Sequence, residues 1–192
     1  MRAWCLVVLL PFAAHAEGVE FEISPGYAKS MDVDASTPLL RGRVGVDLGW
    51  LTPSVVGMAA LFEDPQVAFQ SVEGGVRAWA IAGDVRAHTS GPHQLSAGVG
   101  VGWGQLLVLQ EQRPFGWYRG HPAAYVEATV GYRFVHEHWR VGVDLTVDVF
   151  NRLDLYGEDA SRACGGGFTA AVCPTNKSFS FAGVALSLGW GN

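Results

Sequence analysis

A chain of 192 residues is long enough for one domain with a proper core, or for one closed barrel. This one is 49% hydrophobic but only 16% charged, a low share of charge for a soluble domain. No run beyond the N-terminus approaches the roughly 18 unbroken apolar residues of a membrane helix. The net charge of −5, with lysine only at Lys29 and Lys177, offers no basic field to nucleic acid.

The N-terminal segment reads as a secretory signal. Arg2 is a minimal positive start, Ala3 to Phe12 is apolar, and Ala14-His15-Ala16 fits the small-x-small cleavage rule. Cleavage after Ala16 leaves Glu17 as the new N-terminus, and losing Arg2 takes the net charge to −6. The competing reading is an uncleaved anchor helix, for which the segment is short. Cys5 lacks the small residues expected before a lipidated cysteine, so no lipoprotein is expected. The chain thus divides into a cleaved signal, 1–16, and one barrel domain, 17–192.

From Val19 onward the hydrophobic pattern has period two, in eight runs. The first, Val19 to Lys29, sets Val19, Phe21, Ile23 and Tyr27 against Glu20, Glu22 and Ser24. The second, Leu40 to Leu51, sets Val44, Val46, Leu48 and Trp50 against Arg43, Gly45, Asp47 and Gly49. Leu51-Thr52-Pro53-Ser54 then reads as a tight turn. The third and weakest run, Val55 to Phe62, puts Val56, Met58, Ala60 and Phe62 on one face. The fourth, Gly74 to His88, sets Trp79, Ile81 and Val85 against Ala78, Ala80, Ala82, Asp84 and Arg86. A turn at Ser90 to His93 leads to the fifth, Gln94 to Leu109, where Leu95, Ala97, Val99, Val101 and Trp103 oppose Ser96, Gly98, Gly100, Gly102 and Gly104. The sixth, Ala123 to Phe134, opposes Val126, Val130, Tyr132 and Phe134 to Glu127, Thr129, Gly131 and Arg133. Val135 to His138 is a short connection. The seventh, Trp139 to Phe150, opposes Val141, Val143, Leu145, Val147 and Val149 to Arg140, Gly142, Asp144, Thr146 and Asp148. The last, Ser178 to Trp190, carries Ala182, Val184, Leu186, Leu188 and Trp190 on one face.

Side chains in a strand point to opposite faces in turn, so this pattern predicts half-buried β-structure. Most runs reach the roughly 9–11 residues that cross a bilayer at a tilt, and none has a sustained helical period. The links after the second, fourth and sixth runs are short. Those after the first, third, fifth and seventh are longer: 30–39, 63–73, 110–122 and 151–177. Short links on one side and long ones on the other mark an outer-membrane barrel.

Alternation alone does not say which face is outside, because a soluble ligand-binding barrel has the same period in the inverted sense. Three features turn the apolar face toward lipid. The other face carries, at mid-strand, Arg43, Asp47, Asp84, Arg86, Glu127, Arg133, Arg140, Asp144 and Asp148, charges of both signs that can pair inside a narrow lumen. On the apolar face Trp50, Phe134, Trp139 and Trp190 fall beside the short turns or the C-terminus, with Tyr132 a step further in. Tyr27 and Trp79 fall near the opposite boundary. Aromatic rings with a polar edge favour such interfaces. The glycine ladder from Gly98 to Gly104 suits a lumen where large side chains from opposite strands need room.

In this pattern the chain resembles the eight-stranded outer-membrane barrels of the OmpA/OmpX type. The likeness spans nearly all of the mature chain and is architectural. The last strand is similar to the C-terminal signal of that class, though it ends Trp190-Gly191-Asn192 and not on the aromatic itself. The resemblance implies an antiparallel up-and-down transmembrane β-barrel in a bacterial outer membrane, contacting lipid and lipopolysaccharide. It implies the Sec and barrel-assembly machineries as biogenesis partners, with both chain ends in the periplasm and the longer loops outside.

Chemistry is sparse. Cys164 and Cys173 flank Gly165 to Gly167 and favour a disulfide in an oxidising compartment over free thiols or a zinc site. His121 with Ser161 and Asp159 is the nearest thing to a hydrolytic set, but no Gly-x-Ser-x-Gly elbow supports it. His136 and His138 lack a third metal ligand and read as solvated turn residues. Asp144 and Asp148 share a face near Arg133 and Arg140, which favours salt bridges over glycosidase acids. The expectation is a non-enzymatic monomer without cofactor or metal, serving structural, surface-exposure or adhesion purposes. A narrow channel or hydrophobic-ligand barrel, a lipid A-modifying enzyme and a soluble secreted ligand barrel are the alternatives.

Overall fold

The computed structural model describes residues 18–31, 36–62, 66–67, 70–71, 76–110, 117–152 and 178–191. Eight long strands close into a barrel: β1 (Gly18–Ser30), β2 (Ser36–Asp47), β3 (Leu51–Phe62), β6 (Val76–His88), β7 (His93–Gln110), β8 (Trp117–His136), β9 (Trp139–Arg152) and β10 (Ser178–Gly191). A two-residue hairpin, β4 (Gln66–Val67) with β5 (Gln70–Ser71), stands in the link between β3 and β6. Around the wall the order is β1-β10-β9-β8-β7-β6-β3-β2, each strand beside its sequence neighbour, with β1 and β10 sealing the ring. All ladders are antiparallel. Closure leaves no sheet edge around the wall, which is the condition for a β-structure to cross hydrocarbon.

The expected fold is therefore present, with most strands longer than read, β2 (Ser36–Asp47) displaced at equal length and β6 (Val76–His88) slightly shorter. The second and third strands shift most. The tight turn expected at Leu51–Ser54 lies instead at Leu48–Trp50, where Gly49 takes a φ of 91° and Asp47 accepts a hydrogen bond from its backbone N–H at 2.8 Å. Pro53 sits inside β3 because the β2–β3 ladder ends at Gly45↔Ser54, so the N–H that proline lacks has no partner waiting on that side. A similar vacancy interrupts the β1–β10 ladder, whose pairs skip Ser24 and Pro25. The short connections after β2, β6 and β8 lie at one end of the barrel, and the strand ends that lead into links 31–35, 63–75, 111–116 and 153–177 lie at the other.

The outer face is apolar. Along β9 the outward Val141, Val143, Leu145 and Val147 are 40–55% exposed, and β1, β7 and β10 repeat the pattern. One strand inverts the expectation. In β3 the apolar set Val56, Met58 and Ala60 turns into the lumen, while Val55, Ala59 and Leu61 face out. Both faces of β3 are apolar there, so period two could not say which was which. The glycines of β7 do make room as expected. A Cβ at Gly104 would stand 2.5 Å from the Trp79 carbonyl and 2.7 Å from the Phe150 ring.

Candidate functional site

Among the described residues the lumen gathers the polar chemistry, and it is stratified. At the short-turn end, Arg140 of β9 pairs with Glu20 of β1 and, at 3.2 Å, with Asp47 of β2. His88 Nε2 lies 3.6 Å from Asp47 and 3.3 Å from the Thr52 hydroxyl. Asp47 and Arg140 were expected at mid-strand. The register puts Asp47 at the very end of β2 and Arg140 one residue into β9, so they tie the rim instead.

The middle layer is centred on Glu22, which takes Arg133 at 2.6 Å and Arg43 at 3.0 Å. Asp144 sits 3.3 Å from Arg86 and 3.6 Å from Arg133. Asp84 lies 3.7 Å from Arg43 and accepts a hydrogen bond from Ser54 at 2.9 Å. Above it, Arg41 reaches across the barrel from β2 to Glu127 of β8 at 2.7 Å, four strands away around the ring, and pairs also with Asp148 of β9. The Tyr125 hydroxyl lies 2.8 Å from Glu127 and bonds Asp148. Each carboxylate thus has a guanidinium or hydroxyl partner, which is what makes burial of so many charges tolerable.

Toward the long-loop end the lumen turns apolar. Tyr125 meets Phe150 at a tilt with ring centroids 5.0 Å apart, and Phe150 stacks on Phe181 at 6.0 Å. Leu39, Met58, Leu106 and the alanines of β6 pack around them. Tyr125 joins the two regimes, ring in the cap and hydroxyl in the ion layer. Between the middle layer and the Arg41 layer the void bordered by Glu22, Arg41, Arg43, Arg86 and Asp144 is about 10 Å³, room for about one water molecule. Arg41 Nε, Arg43 Nη1 and Arg86 Nε, on three of the residues that border it, have no hydrogen-bond partner.

All nine charges singled out in the sequence lie inside the barrel, joined by three that were not in that set: Glu20, Glu22 and Arg41. Arg41 was legible, since it sits two residues before Arg43 on the same face of the run. The role of Tyr125 was not, because nothing local says that its ring lies in one layer and its hydroxyl in the next.

On the outside, Trp50, Trp139 and Trp190 are exposed at the short-turn end, the last two stacked at 5.7 Å. Phe134 and Tyr132 also face out, and the Tyr132 hydroxyl is 2.6 Å from His93 Nδ1. Tyr27 faces out near the other end, and Trp79 meets Trp103 edge-on at 5.0 Å. His136 and His138 are exposed on either side of Glu137. His121 turns inward and is buried. Ser161, Asp159, Cys164, Cys173 and the signal segment lie outside the described residues.

No family model matches the chain, and no curated protein does. Solved structures do. Neisserial surface protein A aligns with a TM-score of 0.61 at 9% identity, covering 90% of this chain and 95% of that one. The N-terminal β-barrel domain of Pseudomonas aeruginosa OprF aligns at 0.45 and 13% identity, over 91% and 98%. Ail, the attachment invasion locus protein of Yersinia pestis, aligns at 0.46 and 14%, over 91% and 99%. The neisserial likeness bears on fold, and the apolar wall around a charged lumen bears on surroundings. Taken with the closed ring of eight strands, they make this chain, in fold, a small outer-membrane β-barrel.

Proposed function

We propose that the protein is a non-enzymatic, monomeric barrel of the bacterial outer membrane that acts through its longer loops, in a structural, surface-exposure or adhesion role. The observation that carries this reading is the filled lumen. Ion layers and an aromatic cap occupy the interior, and eight strands leave room for little more than side chains. With the interior packed and the wall given to lipid, the loops are the surface left for a partner. The neisserial barrel is by name a surface protein, and the same exposure is extended here to links 31–35, 63–75, 111–116 and 153–177.

In this reading residues 1–16 direct export through Sec and are removed, and residues 17–192 are inserted by the barrel-assembly machinery among phospholipid and lipopolysaccharide. The short turns face the periplasm, and Cys164 and Cys173 form a disulfide outside the cell. The aromatics from Tyr27 to Trp190 sit at the two membrane boundaries. Cell fractionation with a heat-shift gel tests the core of it. The expected result is protein in the outer-membrane fraction, migrating faster unheated than boiled, with an N-terminus at Glu17. Protein in the soluble periplasm would overturn it. Lipid A is expected to keep an unchanged mass spectrum on overexpression, and a new acyl or phosphate pattern would favour the enzyme instead.

A further inference from the structure

The outer wall is not uniformly convex. At the short-turn end Phe21, Ile23, Val44, Trp139, Leu188 and Trp190 wall a groove of about 380 Å³. It runs across four strands. Phe21 pairs with Val44 on one side and Trp190 on the other, and Trp190 pairs with Trp139. One rung further in, Ile23 stands between Gly42 and Leu188. Gly42 leaves the floor open, since a Cβ built there meets nothing within 4 Å. No other part of the described chain covers these side chains: Phe21, Ile23, Trp139 and Trp190 are 54–61% exposed.

We propose that this groove is a binding site for one acyl chain of a phospholipid in the periplasmic leaflet. The inference rests on the outer-membrane reading and on the short turns facing the periplasm. An apolar concavity at bilayer depth holds no water, and leaving it empty forfeits dispersion contacts along its walls. Its volume falls in the roughly 300–1,000 Å³ range of small-ligand sites. A second copy of the chain is the poorer occupant. A stable interface takes about 20–30 residues from each partner, and only ten residues line this groove. The stacked Trp139–Trp190 pair lies at its outer end, the level where indoles favour the meeting of acyl chain and headgroup.

A matched pair of glycines provides the test. Gly57 lies directly across from Gly42 in the next strand. It too has open space where a side chain would go, but it does not border the groove. Barrels extracted from outer membranes, exchanged with phosphatidylethanolamine in mild detergent, are examined by native mass spectrometry. Wild type and Gly57→Phe are expected to retain one phospholipid, and Gly42→Phe to retain about tenfold less, the equivalent of losing roughly two buried methylenes. The heat shift establishes that each variant is folded, and Gly42→Leu replaces Gly42→Phe if the larger ring blocks folding. Equal retention in all three overturns the proposal, as does a wild-type dimer that Gly42→Phe dissolves. A soluble protein overturns the outer-membrane reading and this inference with it, whereas a membrane barrel with equal retention overturns this inference alone.

Discussion

Arg41 shows what a single residue does in this lumen. It is 7% exposed and holds Glu127 and Asp148, from two strands on the far side of the ring. Its side chain crosses the lumen to do so. Removing it leaves two carboxylates facing each other without a counter-charge, and a broken buried pair costs about 3–5 kcal/mol. Arg41→Met is therefore expected to lower unfolding stability by that amount, read from urea titrations in phospholipid vesicles. Restoring the original net charge of the cluster with Glu127→Gln in the same chain is expected to recover part of the loss. A wild-type midpoint for Arg41→Met would mean the cluster is not a strut. Nothing about Arg41 in isolation revealed this: its face was readable from alternation, but its partners lie 86 and 107 positions away.

At the scale of elements, the short turns decide where the strands stop. Glu137 opens the two-residue connection between β8 and β9, held by the His136↔Trp139 pair. It has a φ of 53°, the one positive φ among the described non-glycine residues. Side chains with a Cβ rarely take that region, and hairpin turns favour glycine there. Glu137→Gly is accordingly expected to stabilise the barrel slightly, by up to roughly 1 kcal/mol, measurable as a shift of the same urea midpoint. Destabilisation would mean that the Glu137 side chain contributes more than its backbone costs. The turn after β2 teaches the converse lesson. Pro53 drew the expected turn toward itself, because proline usually punctuates. In the barrel it is a strand residue whose missing N–H falls just past the last β2 pair, and only the stagger of neighbouring strands could make that position harmless.

For the whole molecule, the order of layers matters more than any one of them. Charge fills the lumen from the short-turn end up to the Tyr125 hydroxyl, and packed aromatics close it toward the other end of the barrel. Ions entering from the short-turn side would meet paired charges and then a wall of rings, with a void of about 10 Å³ between the middle layer and the Arg41 layer. Wild-type barrel in planar bilayers is thus expected to show no resolved conductance steps, as eight packed strands leave no aqueous path. Discrete openings would revive the channel. The aromatic cap was not anticipated, though Leu39, Leu106 and Phe150 are plain apolar residues. Alternation places charges, glycines and the alanines of β6 inside but no large apolar side chain, and Met58 of β3 turns inward against the lipid-facing reading of the apolar face.

The strands, their approximate ends, the closed antiparallel architecture and the inward charges followed from the sequence alone, because each rests on period two and on loop length, both local properties. Which charge meets which, where the polar layers give way to the cap, which face of β3 points inward and where the outer wall hollows at Gly42 were settled by the tertiary structure. These depend on the stagger between strands and on what crosses the lumen from the opposite wall. A strand's own alternation carries no record of its height relative to a neighbour, and that height is set only when the ring closes.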